Sequence, residues 1–156
     1  MGFIQNILVR NDSVERHTET VREILHRLGL DPDEHHVEES EGTAWRIQRG
    51  SAVIYIHLFT HDDKGYLKVL APLLIVPDTD REALFEHLLS INMSLVSCAL
   101  ALNGNTICVF SERSLDYLDK EEADEIIKRV AYYADDLDNK LADQFGGRLW
   151  SAEEEG

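Results

Sequence analysis

The chain has 156 residues, with 30 Asp and Glu against 15 Lys and Arg, a formal net charge of −15 and 44% apolar residues. Its length suits one domain, and its apolar content argues against wholesale disorder. The negative charge repels a phosphate backbone and an anionic lipid surface, so neither nucleic-acid nor membrane binding is expected.

The first six residues, Met1 to Asn6, lack the basic and long apolar regions of a secretory leader. The longest apolar run, Val69 to Val76, is far short of the roughly 20 residues a spanning helix needs. A cytoplasmic location is expected, and with only 2 Cys a disulfide framework is not.

Val14, His17, Val21, Ile24, Leu25 and Leu28 recur at three- and four-residue steps, which predicts a first helix. Asp12 with Glu15 reads as its capping box and Gly29 as its C′ residue, before the stop Asp31-Pro32-Asp33. Residues 31–43 read as an acidic, irregular loop. Three strands follow: Ala44 to Gln48, Ala52 to Phe59 and Tyr66 to Val76. The second is apolar on both faces, with Val53, Tyr55, His57 and Phe59 on one and Ile54, Ile56 and Leu58 on the other, which marks a central strand. Pro72 in the third signals an edge or a bulge.

A second helix starts after Pro77, with Thr79 and Glu82 as a capping box and Leu84, Phe85, Leu88, Ile91 and Leu95 at helical spacing. Val96 to Leu102 and Thr106 to Phe110 then flank Asn103-Gly104, the dipeptide a type I′ hairpin prefers. With those two residues in the loop, Leu102 faces Asn105, Leu100 faces Ile107 and Cys98 faces Val109. Cys98 and Cys108 then lie on opposite faces; a three-residue loop reverses this. The last helix opens on a capping box of Asp119 and Glu122, with Leu118 and Ala123 as a hydrophobic staple. Ala123, Ile126, Ile127, Val130, Ala134, Leu137 and Leu141 make its apolar stripe, and Gly146-Gly147 ends it. The order α-β-β-β-α-β-β-α, with hairpin-linked strands, predicts an α+β sandwich of an antiparallel sheet with helices. It forms one domain over residues 1–147, followed by an acidic C-terminal tail, 148–156.

No Walker loop, dinucleotide fingerprint, nucleophile elbow or H-E-x-x-H helix occurs, so no catalytic residue and no cofactor are assigned. His35-His36 with Glu34, Glu38 and Glu39, and His57, His61, Asp62 and Asp63, carry metal-ligand residue types. Adjacent His on an extended segment point apart, and no EF-hand spacing fits, so both groups read as polar loops and no metal site is assigned. Cys98 and Cys108 alternate with apolar residues and read as buried structural thiols. Asn92 reads as a tie between the end of the second helix and the next strand.

The hairpin face with Ser97, Ala99 and Ala101 against Thr106, Cys108 and Phe110 presents small side chains, which admit either the protein's own helix or a partner. Trp150 either docks back on the core or meets a partner. The candidate protein interface is therefore Ala99, Ala101, Cys108, Phe110 and Trp150.

Several stretches together resemble the YbjN-domain family: Gly50 to Ile54, Val69 to Leu73 with Val76-Pro77, Leu88 to Asn92, Ala99 to Gly104, Leu115 to Asp119, and Ala131 to Asp135 before Phe145-Gly146. The resemblance runs from about Val14 to Phe145. It implies the type III secretion chaperone fold, shared with the Tir chaperone (CesT-like) family, whose members are small, acidic, commonly dimeric and bind extended effector segments without ATP. YbjN proteins themselves are described as sensory transduction regulators. The expected function is a non-enzymatic regulatory or protein-interaction module, a homodimer that binds a protein partner through apolar sheet and helix surfaces. The alternatives are a secretion chaperone for an extended effector segment and a metal-dependent enzyme using His57, His61 and Asp62.

Overall fold

The computed structural model describes residues 2–39 and 41–155, with side chains over 14–39 and 41–154. The N-terminal stretch read for a leader, Ser40 of the acidic loop and Gly156 lie, wholly or in their side chains, outside the described residues.

Helix α1 spans Gly2–Arg27, so Asp12 lies inside it and is not the N-cap the sequence suggests. Phe3, Ile4, Ile7 and Leu8 continue the three- and four-residue apolar spacing upstream, and a capping residue starts a helix only where what precedes it does not favour one. The other end follows the sequence. The Leu30 N–H donates to the Leu25 carbonyl (2.9 Å) and the Gly29 N–H to that of His26 (3.0 Å), the two bonds of a Schellman stop.

The strands are β1 (His36–Val37), β2 (Thr43–Arg49), β3 (Ala52–His61) and β4 (Lys64–Ile75). Helix α2 (Arg81–Asn92) precedes β5 (Ala99–Asn103) and β6 (Thr106–Ser114); helix α3 (Lys120–Phe145), β7 (Arg148–Leu149) and a 3-10 turn, Ala152–Glu155, complete the chain. The strands form one sheet in the order β1-β2-β3-β4-β6-β5, with β7 added on β4. This is the expected α+β architecture. The acidic loop is less irregular than expected, because it contains β1, paired antiparallel with β2. At two residues, β1 and β7 are too short to leave a period in the sequence.

Turn chemistry explains the hairpins. Asp62 and Asp63, both at positive φ (46° and 67°), make the tight connection between β3 and β4. Between β5 and β6 the loop residues are Gly104 and Asn105, not Asn103 and Gly104, since Asn103 pairs with Thr106. Gly104 alone of the two is at positive φ (60°), which fits a type II′ turn with glycine at its first central position. The register moves by two residues, so each side chain keeps its expected face. Leu100 faces Val109 and Ala101 faces Cys108. Both thiols are free.

Pro72 does not break β4. Immediately after it, however, the alternation slips, and Leu73 and Leu74 are both buried.

The chain divides into two compact units, each drawn from several segments. The first comprises residues 1–47, 55–69 and 112–127; the second comprises 48–54, 70–111 and 128–156. In the first unit, Ile24 and Leu25 of α1, Trp45 and Ile47 of β2, and Ile56 and Leu58 of β3 are buried. Lys120 pairs with Glu23 there, and the buried His17 donates its Nε2–H to the Leu118 carbonyl (3.3 Å). In the second unit, Leu73, Leu74, Leu84, Leu88, Ile107, Val109, Val130 and Leu141 are buried. Ser51 Oγ there lies 3.2 Å from a carboxylate oxygen of both Asp135 and Asp138.

The two later capping boxes fare differently. At α3 the box closes both ways: the Glu122 N–H donates to Asp119 Oδ1 (2.8 Å), and the Asp119 N–H to Glu122 Oε2 (3.2 Å). At α2 the expected Thr79 cap is not formed. The N-cap is Asp80, at φ 58°, with no side-chain cap bond. Replacing Asp119 by Ala therefore lowers unfolding free energy by about 1 kcal/mol in a urea titration, while Thr79→Ala leaves it within about 0.5 kcal/mol.

Candidate functional site

The hairpin builds the face that the sequence singles out. Ala99 sits opposite Phe110 and Ala101 opposite Cys108, so four of the five candidate residues lie on one side of the β5–β6 ribbon. Their exposure is uneven. Ala101 is exposed, Ala99 and Phe110 are half-buried, and Cys108, at 2% exposure, is covered within this chain. Burial pushes the Cys108 thiol up to about 11, and burial also raises that of Cys98, against a smaller opposing effect from the Arg129 charge. Both shifts disfavour the thiolate. Trp150 stands on β4: its N–H donates to the Leu73 carbonyl (3.0 Å), just beyond the pairing of β7 with β4.

Beside the hairpin, α2 carries what the sequence reading missed. Leu89 (71% exposed), Met93 (90%) and Val96 (57%) project into solvent. Leu89 lies on α2, Met93 is its C-cap and Val96 lies in the link that follows, so the exposed apolar residues cluster at the end of the helix, beside the buried Leu84 and Leu88. That cluster was visible in the sequence, masked by the stronger stripe beside it.

Asn92 ties this region together, as its position suggests. Its Oδ1 accepts the Leu100 N–H at 2.7 Å, and its Nδ2–H donates to the Leu100 carbonyl at 3.3 Å. One side-chain amide thus takes the place of a neighbouring strand at the free edge of β5. The Val96 N–H donates to the Tyr133 hydroxyl (3.0 Å), which fixes the link between α2 and β5.

The first unit carries an aromatic ladder. His57 stacks on Phe59 (4.9 Å between centroids) and Phe59 on Tyr66 (5.8 Å). Lys68 Nζ lies 5.4 Å from the Phe59 centroid and pairs with Glu112 at 2.8 Å. Phe59, His61, Tyr66, Lys68 and Glu112 line an open recess of about 300 Å³.

The candidate metal residues lie apart in role. His57 donates its Nε2–H to the Glu41 carbonyl (2.8 Å), and His61 is an exposed side chain 3.4 Å from Asp62. His35 donates from Nδ1 to the Arg46 carbonyl, and His36 Nε2 lies 3.1 Å from Thr43 Oγ1. Among the described residues, no three His, Cys, Asp or Glu side chains are grouped as a metal's ligands would be. No helix of the described residues is long and apolar enough to cross a membrane.

A family model described as "T3SS (YopN, CesT) and YbjN peptide-binding chaperone 1" matches residues 15–153. Among solved structures, the ExsC–ExsE complex superposes with a TM-score of 0.61 at 12% identity, over 82% of this chain and 95% of that one. The ExoU–SpcU complex of the Pseudomonas aeruginosa type III secretion system gives 0.57 at 17% identity, over 80% and 99%. YbjN of E. coli gives 0.54 at 16%, over 86% and 96%. At these identities the structures share the fold. No curated protein sequence matches.

Two measurements check this geometry. Asn92→Leu leaves the Leu100 N–H and carbonyl without their partner and lowers unfolding free energy by about 1–3 kcal/mol in urea titration. With Ellman's reagent at pH 8, Cys98 reacts before Cys108, whose thiolate fraction is about one in a thousand; unfolding in guanidinium removes the difference.

Proposed function

From the premise that the chain belongs to the T3SS (YopN, CesT) and YbjN peptide-binding chaperone family, we propose that it is a non-catalytic, cytoplasmic homodimer that holds extended segments of a protein partner. One observation carries the reading beyond the family: the exposed apolar side chains Leu89, Met93 and Val96 at and just after the end of α2, on a chain whose net charge is −15.

Exposed apolar groups gathered on an otherwise charged surface mark an interaction site. Copies of a chain this acidic repel one another, so self-association requires an apolar contact that outweighs this repulsion. The end of α2 offers exposed Leu89 and Met93, with the acidic Glu82 and Glu86 on the preceding turns of the same face. A two-fold contact sets the same patch against itself, Leu89 and Met93 of one copy against those of the other. The free edge of β5 is not needed for this contact, since Asn92 already covers it at Leu100.

Ala99, Ala101 and Phe110, on the ribbon face whose Cys108 is covered within the chain, are further candidate contacts for the partner. The acidic surface beyond it favours partner segments in which apolar residues alternate with Lys or Arg. A dedicated secretion chaperone is the narrower form of the same reading. It is favoured by the superposition on complexes such as ExoU–SpcU, and it requires that the bound segment come from a secreted protein.

Light scattering at tens of micromolar tests the dimer. The parent chain is expected at twice its 17.8 kDa, and Leu89→Asp with Met93→Asp at the monomer mass with unchanged circular dichroism. A monomeric parent overturns the dimer. An array of overlapping 20-residue peptides tests the binding: spots rich in apolar residues flanked by Lys or Arg are expected to bind, more weakly as salt rises. An array without binders overturns the peptide-binding reading.

A further inference from the structure

The segment after α3 does on β4 what a bound peptide would do. Arg148 pairs with Ile75 and Leu149 with Leu74, antiparallel, and the Trp150 N–H donates to the Leu73 carbonyl at 3.0 Å. We propose that this segment is a displaceable occupant of a strand-addition site at the end of β4. The other occupant is an extended partner segment with an apolar residue at the Leu149 position, an aromatic at the Trp150 position and basic residues after it. This rests on the peptide-binding reading above.

Main-chain pairing of this kind is indifferent to sequence, so any extended segment that reaches β4 can make it; selectivity falls to the side chains at alternate positions. Leu149, opposite the fully buried Leu74, and the half-buried Trp150 are consecutive, so the segment offers one apolar side chain to each face of the strand. The alternation of β4 slips at Leu73–Leu74, so the strand presents consecutive apolar residues where the added segment lies.

The dock is shaped for close approach. A Cβ at Gly147 would lie 2.8 Å from the Ile75 carbonyl oxygen, a distance real Cβ atoms do not adopt. The chain reaches β4 through Gly146 and Gly147, both at positive φ (74° and 89°), a pair that turns it back against the strand and places few limits on its release.

The hold itself is light. Arg148 and Leu149 are exposed, the strand is two residues long, and the Arg148–Glu154 ion pair lies within the segment, so it folds the segment on itself. Short, exposed pairings of this kind open most easily.

Charge decides which occupant is preferred. The chain's own segment brings Glu153, Glu154 and Glu155 to a protein of net charge −15, whereas a partner segment with Lys or Arg there brings attraction.

The test uses the full chain and a fluorescent synthetic peptide of residues 146–154, made also with Lys at positions 153 and 154. Trp150→Pro removes the N–H that Leu73 accepts, and it is expected to bind the peptide at least tenfold more tightly than the parent. Ile75→Cys with Arg148→Cys, in a Cys98→Ser background, locks the segment in place. The oxidised lock is expected to refuse the peptide and the same sample to accept it after reduction, a comparison that any folding defect leaves intact. The Lys peptide is expected to bind more tightly than the Glu peptide at low salt. Equal affinity for parent, opened and locked chains overturns the site, as does absence of binding to the opened and reduced forms. The peptide array, run on the same variants, separates the two proposals. Array binders taken equally by opened and locked chains leave the peptide-binding reading standing and overturn this site. An array without binders overturns that reading, while the 146–154 peptide still decides the site.

Discussion

The constraint on which this structure depends is that β3 is apolar on both faces. Ile54, Ile56 and Leu58 are completely buried, and Tyr55, His57 and Phe59 on the opposite face are half-covered. Removing apolar area from water is worth about 25 cal/mol per Å², so a strand of this kind is stable only in the interior of a sheet, with one face sealed and the other shielded. The first requirement puts β2 and β4 on either side of β3. The second is met in part by the side chains themselves: His57, Phe59 and Tyr66 stack into a ladder, with the Lys68 stem laid over it and its charge answered by Glu112.

Charge is distributed around this constraint. The core elements β3 and β5 carry no acid until their turns, while the acidic residues crowd residues 31–41, the α3 surface and the segment after it. Asp33 and Glu23 are held below the usual carboxylate range, each chiefly by a hydrogen bond, to Arg22 and Lys120 respectively. Both groups are exposed, so these pairs place charge on the surface and contribute little to stability. The repulsion left over from a net −15 bears on what meets the protein more than on how it folds.

The legible part of the fold was the part governed by long periods. The stripe of α3, the two faces of β3 and the Schellman stop at Gly29 are repeated or redundant signals, and the structure matches them. The failures were local. Asp12 resembled a cap, but the helix continues upstream because Phe3, Ile4, Ile7 and Leu8 extend its pattern. Thr79 had the right spacing to Glu82, but Asp80 entered the left-handed region and became the N-cap. Asn103-Gly104 marked a turn whose loop is one residue later. At Thr79–Asp80 and at Asn103–Asn105 neighbouring residues could play the same part, and the sequence alone did not choose between them. The proposed interaction surface was only partly suggested by the sequence. Alternation along the hairpin singles out Ala99, Ala101 and Phe110, whereas Leu89 sits on α2 beside its buried stripe and Met93 and Val96 follow where the helix ends. The pairing of residues 148–149 with β4 has no sequence signature, since two residues carry no period.

The amide of Asn92 has a consequence for how copies of this chain can assemble. An uncovered edge strand is an invitation that repeats: each copy that pairs leaves another edge open, and growth has no natural end. By taking both the N–H and the carbonyl of Leu100, Asn92 withdraws that invitation at the second residue of β5. What remains exposed nearby is a surface of side chains, and such a surface is exhausted once a single copy has covered it. One hydrogen-bonded residue thus makes main-chain pairing at this edge less favourable than contact through side chains.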